Sequence, residues 1–210
     1  MSERLFEFDR ELAGDLVLAG VDEVGRGPWA GPVVAGAVIL RPGARFRTAD
    51  SKSLTREARE AIAAGVWPCV ASFGIGFVGE DYIDAHGILN ATKRAMEAAI
   101  GMLTIHPDKI LVDGRVPVKC RGAQTLQMDK ADSRSAAVAT ASILAKVARD
   151  RLMADYAGLY PEFGFGEHYG YGTASHQAQL SRQGACPIHR TGYRPVSEVR
   201  LFHGGIRKDS

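Results

Sequence analysis

The 210-residue sequence has few cysteines and no long apolar run, and both features limit the classes of protein to which it can belong. Three cysteines without a Cys-x-x-Cys spacing predict reduced, mostly buried thiols rather than a disulfide framework or a zinc site. No window approaches the roughly 20 apolar residues that a membrane-spanning helix needs. The N-terminus alternates charged and apolar residues and lacks the apolar core of a secretory signal. The sequence therefore predicts a cytoplasmic protein with no membrane segment.

Net charge is also small, formally +2, which is too little by itself to indicate nucleic-acid binding. Its distribution is uneven, because residues 168–210 contain six arginines or lysines against two acids. This excess fits a solvated tail and a phosphate-binding surface equally well. No heptad pattern demands association, so we expect a monomer.

Apolar residues are plentiful, at 46% of the chain, and suffice for one sizeable core. Apolar runs alternate with helical patterns, which predicts an α/β fold. Predicted strands cover residues 16–21, 33–40, 69–78, 109–113 and 124–128, and predicted helices begin after Thr55 and cover 80–85, 88–103 and 132–157. Gly, Pro and His become frequent from Tyr160 onward. We therefore expect a sheet domain over 1–160 and a basic, helical C-terminal appendage over 161–210, with a helix near 175–183.

Two adjacent carboxylates, Asp22 and Glu23, follow the first predicted strand. Two ionised carboxylates side by side repel each other, so a bound cation would explain them better than stability does. Neighbouring side chains of a regular strand point to opposite faces. The pair can therefore share one site only if the strand ends or bulges there, which the following Gly25 and Gly27 permit.

Two further carboxylates lie at the ends of predicted elements. Asp113 ends a buried strand, and open α/β sheets build their sites outside the carboxyl ends of strands, so we expect it to converge with the acidic pair. Asp113-Gly114 is also a common turn dipeptide, and Asp132 is a good N-cap for the long helix. On the residues alone, both structural alternatives stay open.

Four other polar residues do not join this set of carboxylates, because their spacing does not fit a shared site. On one continuous helix Asp150 would lie roughly 27 Å beyond Asp132, so we interpret it as structural. His168, His176 and His189 fit no metal-ligand spacing, which favours surface or hydrogen-bonding roles.

Five motifs, in this order, resemble those of the type 2 ribonucleases H, and among them the bacterial ribonucleases HII. They are Val21-Asp-Glu-Val-Gly-Arg-Gly27, Asp50-Ser-Lys52, Leu111-Val-Asp-Gly114, Lys130-Ala-Asp-Ser-Arg134 with the segment 141–150, and Gly170-Tyr-Gly-Thr173. The first is highly specific, and together they extend from about residue 19 to Val196. The resemblance implies an RNase H-like mixed β-sheet flanked by helices, with a small C-terminal helical part.

The resemblance also implies an endonuclease that uses two divalent ions, Mg²⁺ or Mn²⁺. Its substrates would be RNA–DNA hybrids and single ribonucleotides in duplex DNA, cut 5′ of the ribonucleotide at the RNA–DNA junction to leave 3′-hydroxyl and 5′-phosphate ends. Its catalytic, metal-binding carboxylates would be Asp22, Glu23, Asp113 and Asp132. Carboxylate oxygens are the ligands that such hard ions prefer, and two ions about 4 Å apart activate water and stabilise the leaving oxygen.

Substrate recognition is likewise implied by the resemblance. The backbone of Gly25, Arg26 and Gly27 would contact the junction nucleotide and its 2′-hydroxyl, the group that separates ribose from deoxyribose. Tyr171 would stack on the neighbouring deoxyribose, and Lys52 would contact a phosphate.

The sequence departs from the family pattern in three places. Tyr169 and Ser53 stand where lysines are common, which puts a local phosphate contact and part of the backbone binding in doubt. The stretch from His189 to Tyr193 also differs from the usual motif, so no role is carried onto it.

Other classes of function explain less of the sequence. A non-catalytic duplex-binding module would account for the basic excess but not for three acidic positions. A small-molecule phosphate enzyme would need a P-loop or a dinucleotide-binding fingerprint, and neither pattern is present. Ribonuclease HIII would need an extra N-terminal domain, whereas about 15 residues precede the first predicted strand. A resolvase or integrase of the RNase H fold would share the metal chemistry but lack the Gly-Arg-Gly loop.

Overall fold

The computed structural model describes residues 2–46 and 55–203. Lys52 and Ser53 lie outside this part of the chain, as do Arg207 and Lys208 of the basic C-terminus. The strands are β1 (Leu18–Val24), β2 (Val33–Leu40), β3 (Val70–Val78), β4 (Lys109–Asp113) and β5 (Gln124–Met128). The helices are α1 (Ser2–Ala13), α2 (Arg56–Val66), α3 (Glu80–His86), α4 (Ile88–Gly101), α5 (Ala136–Leu159), α6 (Phe165–His168), α7 (Ala174–Gln183) and α8 (Arg194–His203).

The five strands form one mixed sheet in the order β3-β2-β1-β4-β5. β1 runs antiparallel to β2, and β2 antiparallel to β3. β4 lies parallel to both β1 and β5. The carboxyl ends of β1 and β4, which carry Asp22 and Asp113, therefore lie side by side at one edge of the sheet, as the sequence predicted.

Helices cover both faces of the sheet, which makes a three-layer α/β fold. Val21 and Val112 pack with Ala95 of α4 on one face. Leu111 packs with Val138 of α5 on the other. A Cβ at Gly20 would collide with the backbone of Ala137, so glycine on the central strand allows α5 to lie against the sheet. This close approach brings the middle of α5 to the edge where β1 and β4 end.

Most predicted elements are confirmed, but several differ from the prediction. The long helix begins at Ala136 rather than at Asp132, and its N-cap is Ser135, whose hydroxyl accepts a hydrogen bond from the Val138 N–H at 3.1 Å. Asp132 lies instead in a separate 3₁₀ turn, Ala131–Ser133. The N-cap alternative for Asp132 is therefore wrong. Helices α1, α6 and α8 were not predicted, and β1 continues to Val24 instead of ending at Val21.

The residues after Tyr160 pack closely against α5. Phe163, Phe165 and Ile188 form a small apolar cluster with Met153 of α5. The predicted helix near residues 175–183 is present as α7. Within the described residues, none of the helices combines the length and apolar character needed to cross a membrane.

Candidate active site

A cleft of about 450 Å³ opens where β1 and β4 end. Its lining residues come from β1, the loop after it, β4, α2, α5 and the segment before α7: Asp22, Glu23, Val24, Gly25, Arg26, Gly27, Arg59, Asp113, Ser142, Lys146 and Tyr171. A larger cavity of about 510 Å³ lies between α1 and the turn that follows β2, and it contains none of the predicted site residues. The smaller cleft is therefore the candidate active site.

The acidic pair reaches the cleft without a bulge in its strand. β1 stays in regular register with β2 through Asp22, Glu23 and Val24. Its pairing with β4, in contrast, stops at Val21 and Val112, and the two strands separate beyond these residues. Asp22 therefore points to the α5 face and Glu23 to the opposite face by strand alternation, while both line the opening between the strand ends.

Burial and mutual repulsion make the acidic end electrostatically unfavourable when all its carboxylates are ionised. Burial raises the pKa of Asp22 well above its ordinary value, and the nearby charges of Glu23 and Asp113 raise it further. Burial also raises the pKa of Glu23, an effect that Arg26 opposes and Asp113 reinforces. Asp22, Glu23 and Asp113 thus act on one another as a single cluster of negative charge.

Protein groups hold each of these carboxylates in place. Asp22 Oδ1 accepts the Glu23 N–H at 2.7 Å, and the Ser142 hydroxyl of α5 also binds this carboxylate. Asp113 Oδ1 accepts the Ala131 N–H at 2.6 Å. This bond ties the 3₁₀ turn that carries Asp132 to the end of β4, although Asp132 itself does not line the cleft. The structure therefore brings three of the four predicted acids together and places the fourth beside them.

The acids fit a hard divalent cation by the chemistry of their donors. All are carboxylates, and Glu23 Oε2 is buried with no hydrogen-bond partner within residues 2–46 and 55–203. Over the same ranges, no three His, Cys, Asp or Glu side chains stand close enough to form a ready-made metal site. The ligand type is thus suited to Mg²⁺ or Mn²⁺, while several of the oxygens bind protein donors.

Gly25 and Gly27, which flank Arg26, differ in whether the fold requires glycine. Gly25 is buried with φ +90°, and a Cβ there would collide with the Arg149 side chain, so the fold itself requires glycine. Gly27 is exposed, and a Cβ at this position would meet nothing within 4 Å. The space beside Gly27 is therefore open on the cleft side. Arg26 extends from the same loop to Glu23, with Nη1 and Oε1 3.3 Å apart.

Tyr171 reaches the cleft from the segment before α7, where buried histidines support its backbone. Its ring is 38% exposed. The Cys186 N–H donates to His189 Nδ1, which leaves the proton of His189 on Nε2. His189 Nε2 then donates to His176 Nε2 at 3.0 Å, and His176 Nδ1 donates to the Tyr171 carbonyl at 3.0 Å. This chain of bonds requires both imidazoles to be neutral.

His168 is also held by hydrogen bonds through both of its ring nitrogens. His168 Nε2 donates to the Phe163 carbonyl at 2.7 Å, and its Nδ1 accepts the Gly170 N–H at 3.2 Å. His168 and His176 also stack, with ring centroids 4.4 Å apart. The predicted hydrogen-bonding roles are confirmed, whereas the surface alternative is wrong because all three histidines are buried.

One wall of the cleft is basic, and sequence reasoning missed it. Asp150 binds Arg59 of α2 at 3.1 Å and Lys146, one turn earlier on α5, at 2.6 Å. Asp150 is buried, which agrees with its structural interpretation, but both of its partners line the cleft. The i,i+4 spacing of Lys146 and Asp150 was visible in the sequence, whereas the contact with Arg59 spans 91 residues.

Comparison with known proteins identifies the family. The family model described as Ribonuclease HII matches residues 19–196. The chain belongs to the ribonuclease HII family. It is 47% identical to the ribonuclease HII of Chlamydia abortus, over 95% of this chain and 94% of that protein. It is also 47% identical to that of Geobacter sulfurreducens, over 92% of this chain and 89% of the relative.

Solved structures agree with this assignment. The ribonuclease H2 of Pyrococcus horikoshii OT3 matches with a TM-score of 0.74 and 27% identity, over 90% of this chain and all of that one. Bst-RNase HIII, solved in complex with Mn²⁺, shares the fold at 18% identity, with a TM-score of 0.68 and coverage of 91% of this chain and 71% of that one. Ribonucleases HII degrade the RNA of RNA–DNA hybrids, and the ribonuclease H family depends on divalent metal. The RNase H-like fold expected from the sequence is thereby confirmed.

Proposed function

We propose that this protein is an endonuclease that cuts the RNA strand of RNA–DNA hybrids and duplex DNA at single embedded ribonucleotides. Cleavage would occur 5′ of the ribonucleotide at the RNA–DNA junction and would leave 3′-hydroxyl and 5′-phosphate ends. One arrangement carries the proposal: the Asp22, Glu23 and Asp113 cluster shares a cleft with the open backbone at Gly27. The cleft thus offers carboxylates for phosphodiester hydrolysis and, beside them, a backbone that a sugar can approach.

In this proposal Asp22, Glu23, Asp113 and Asp132 hold two divalent ions, Mg²⁺ or Mn²⁺. Bound there, the ions would supply an activated water and stabilise the leaving 3′-oxygen. The buried, unpartnered Glu23 Oε2 and the mutual repulsion of the acids support a cation-binding role. Ser142 and the Ala131 N–H orient two of the carboxylates, which fixes the direction in which their remaining oxygens point.

Ribose recognition is assigned to the loop and to Tyr171. A sugar can approach the backbone at Gly27 because no side chain of the described residues fills the space there. Arg26 and Tyr171 lie on the same cleft, and the Tyr171 ring is free enough to stack on a neighbouring sugar. Gly25 supports the loop from inside, and Lys52 stays a predicted phosphate contact.

The basic wall supports the binding of a polyanion. Lys146 and Arg59 line the same cleft as the acids, and contacts of this kind position a duplex without reading its sequence. We further propose that the segment 161–210 contributes to substrate binding beside a catalytic domain over residues 1–160, and that the protein acts as a cytoplasmic monomer in ribonucleotide removal.

The test is cleavage of end-labelled duplexes in Mg²⁺ or Mn²⁺. Three substrates are compared: an RNA–DNA hybrid, a DNA duplex with one ribonucleotide, and the same duplex without it. We expect cleavage of the first two, a cut on the 5′ side of the ribonucleotide, and no cleavage of the third. Cleavage of the hybrid alone would contradict the proposed junction recognition. Tight binding of all three duplexes without cleavage would contradict the nuclease itself.

A further inference from the structure

A buried arginine from the C-terminal segment holds the glycine loop. Arg190 is fully buried and follows His189, whose neighbour in space is Ala30 through an isolated β-bridge. Its guanidinium donates to the Gly25 carbonyl at 2.6 Å, to the Arg26 carbonyl at 3.0 Å and to the Gly31 carbonyl at 2.8 Å. One side chain therefore binds both ends of the loop.

Tyr193 completes this clamp. Its hydroxyl accepts from Arg190 Nη1 at 3.2 Å and donates to the Arg26 carbonyl. The Arg190 N–H in turn donates to the Trp29 carbonyl at 2.8 Å. On the outer side, Asp84 of α3 accepts from the backbone of Thr191 and Gly192, at 2.8 and 3.0 Å. The segment that carries Arg190 is thus fixed to α3 as well as to the loop.

The geometry of the peptide bond gives these contacts a consequence for the cleft. In a planar trans peptide, the carbonyl of one residue and the N–H of the next point in opposite directions. Because Arg190 binds the carbonyls of Gly25 and Arg26 from inside, the N–H groups of Arg26 and Gly27 point away from it, where these residues line the cleft. Neither N–H donates to any acceptor in residues 2–46 or 55–203.

We propose that Arg190 is the positioning residue for ribose recognition, because it orients the N–H groups of Arg26 and Gly27 toward the substrate. The inference rests on the proposed function, since it concerns how the same cleft distinguishes ribose from deoxyribose. Successive unpaired N–H groups form a concave donor site that suits a hydroxyl or phosphate oxygen. Arginine is suited to the task because its planar fork binds several carbonyls at once, whereas lysine is a point charge.

The experiment compares ribose preference in the wild type and in Arg190→Lys. Equilibrium binding in Ca²⁺ is measured for a duplex with one ribonucleotide and for the all-DNA duplex, and the DNA is checked for integrity afterwards. The readout is the Kd of the all-DNA duplex divided by the Kd of the ribonucleotide duplex, together with kcat/KM for the ribonucleotide duplex in Mg²⁺. We expect the ratio to fall about 10-fold and kcat/KM about 100-fold, with binding to all-DNA changed little.

Two further variants separate positioning from general stability. Val66→Ala leaves a cavity in the apolar cluster between α2 and α5, to which no residue of the loop or the clamp belongs, so it should lower Tm while the Kd ratio stays at the wild-type value. Tyr193→Phe removes only the hydroxyl of a half-buried side chain of the clamp, so it provides the test if Arg190→Lys does not fold. We expect it to lower the ratio in the same direction by a smaller factor.

The outcomes distinguish this inference from the proposed function. A folded Arg190→Lys or Tyr193→Phe with the wild-type ratio would overturn the role of the clamp while the wild type still cleaves at the ribonucleotide. An equal fall of the ratio in Val66→Ala would also overturn it, because loss of stability would then explain the effect. If the wild type shows no preference for the ribonucleotide, the proposed recognition fails and the positioning role fails with it.

Discussion

The two ends of the cleft are built in different ways. The acidic end is positioned by the sheet, since Asp22 and Asp113 directly follow the paired residues of two adjacent parallel strands and lie together as soon as β1 pairs with β4. The loop end depends on distant side chains, since Arg149 of α5 and Arg190 of the C-terminal segment bind the carbonyls of residues 25–32. Strand topology therefore brings the acids together, whereas buried arginines shape the backbone that we propose meets the sugar.

Arg149 shows how the loop end is connected to Tyr171. Its guanidinium binds the carbonyls of Pro32 and Ala30 at 3.0 and 3.1 Å, and also that of Tyr169 at 3.0 Å. Burial lowers the pKa of Arg149 to about 10, which still leaves it charged at neutral pH. One side chain therefore couples the glycine loop to the segment that carries Tyr171.

The largest expected effect is at the acidic end. Asp113→Asn should lower kcat/KM on the ribonucleotide duplex by about 1000-fold, or about 4 kcal/mol, because it removes a proposed metal-binding charge. Asp129→Asn is the matched control, since Asp129 is an exposed acid beyond the end of the adjacent β5 and pairs with Arg115. It should retain wild-type activity. Equal activity in the two variants would remove Asp113 from the site.

The next-largest effect concerns Asp150, which binds the two basic residues of the cleft, Arg59 and Lys146. Asp150→Asn should lower the free energy of unfolding by about 3 kcal/mol, because it removes the carboxylate charge from the buried Arg59 and the half-buried Lys146. Urea unfolding followed by circular dichroism measures the change. Glu198→Gln, which breaks the exposed pair with Arg194, should produce no measurable change. Similar stabilities of the two variants would show that the buried pairs are not structurally important.

Alanine substitutions at the two loop glycines, Gly25 and Gly27, should have different effects on stability and activity. Gly25→Ala should destabilise the protein by about 1–3 kcal/mol, because φ is +90° and a Cβ collides with Arg149. Gly27→Ala should change stability by less than about 0.5 kcal/mol but lower activity on the embedded ribonucleotide about 10-fold. Thermal unfolding and cleavage rates together check both statements. Full activity of a folded Gly27→Ala would contradict ribose contact at this position.

The smallest expected effect is the pH dependence of the Tyr171 support. Burial lowers the pKa of His176 from 6.5 to about 4, and protonation would also disrupt its bond from His189. The unfolded state therefore binds more protons between these values, so this contribution to stability is present above pH 6.5 and is lost as pH falls toward 4. Burial raises the pKa of Asp9 to about 6, which acts in the opposite direction between pH 3.8 and 6.

Unfolding of the wild type and of His176→Gln at several pH values between 4 and 7.5 isolates the histidine. Asp9 is present in both proteins, so the difference between their stabilities reports His176 alone. We expect this difference to shrink as the pH is lowered from 6.5 to 4. A difference that is constant with pH would show that His176 does not titrate in this range.

Much of the acidic end could be predicted because its determinants are local. Apolar runs that end in carboxylates indicated the strands, and the convergence of Asp113 with the acidic pair followed from the fold class. The start of α5 was mispredicted because Asp132 and Ser135 are both good caps, and only the structure shows which hydroxyl or carboxylate accepts the N–H. The route by which Glu23 reaches the cleft was also beyond prediction, since it depends on where β1 separates from β4.

The family, the mixed α/β architecture and the convergence of Asp22 with Asp113 could be predicted from the sequence, because strand periodicity and motif order depend only on nearby residues. The tertiary structure decided that Asp150 serves Arg59 across 91 positions and that the three histidines are buried and hydrogen-bonded. It also decided that Arg190 binds a loop 165 residues away. Hydrogen bonds between buried donors and distant carbonyls exist only after the chain has folded, because they depend on the packing of whole elements rather than on any local pattern.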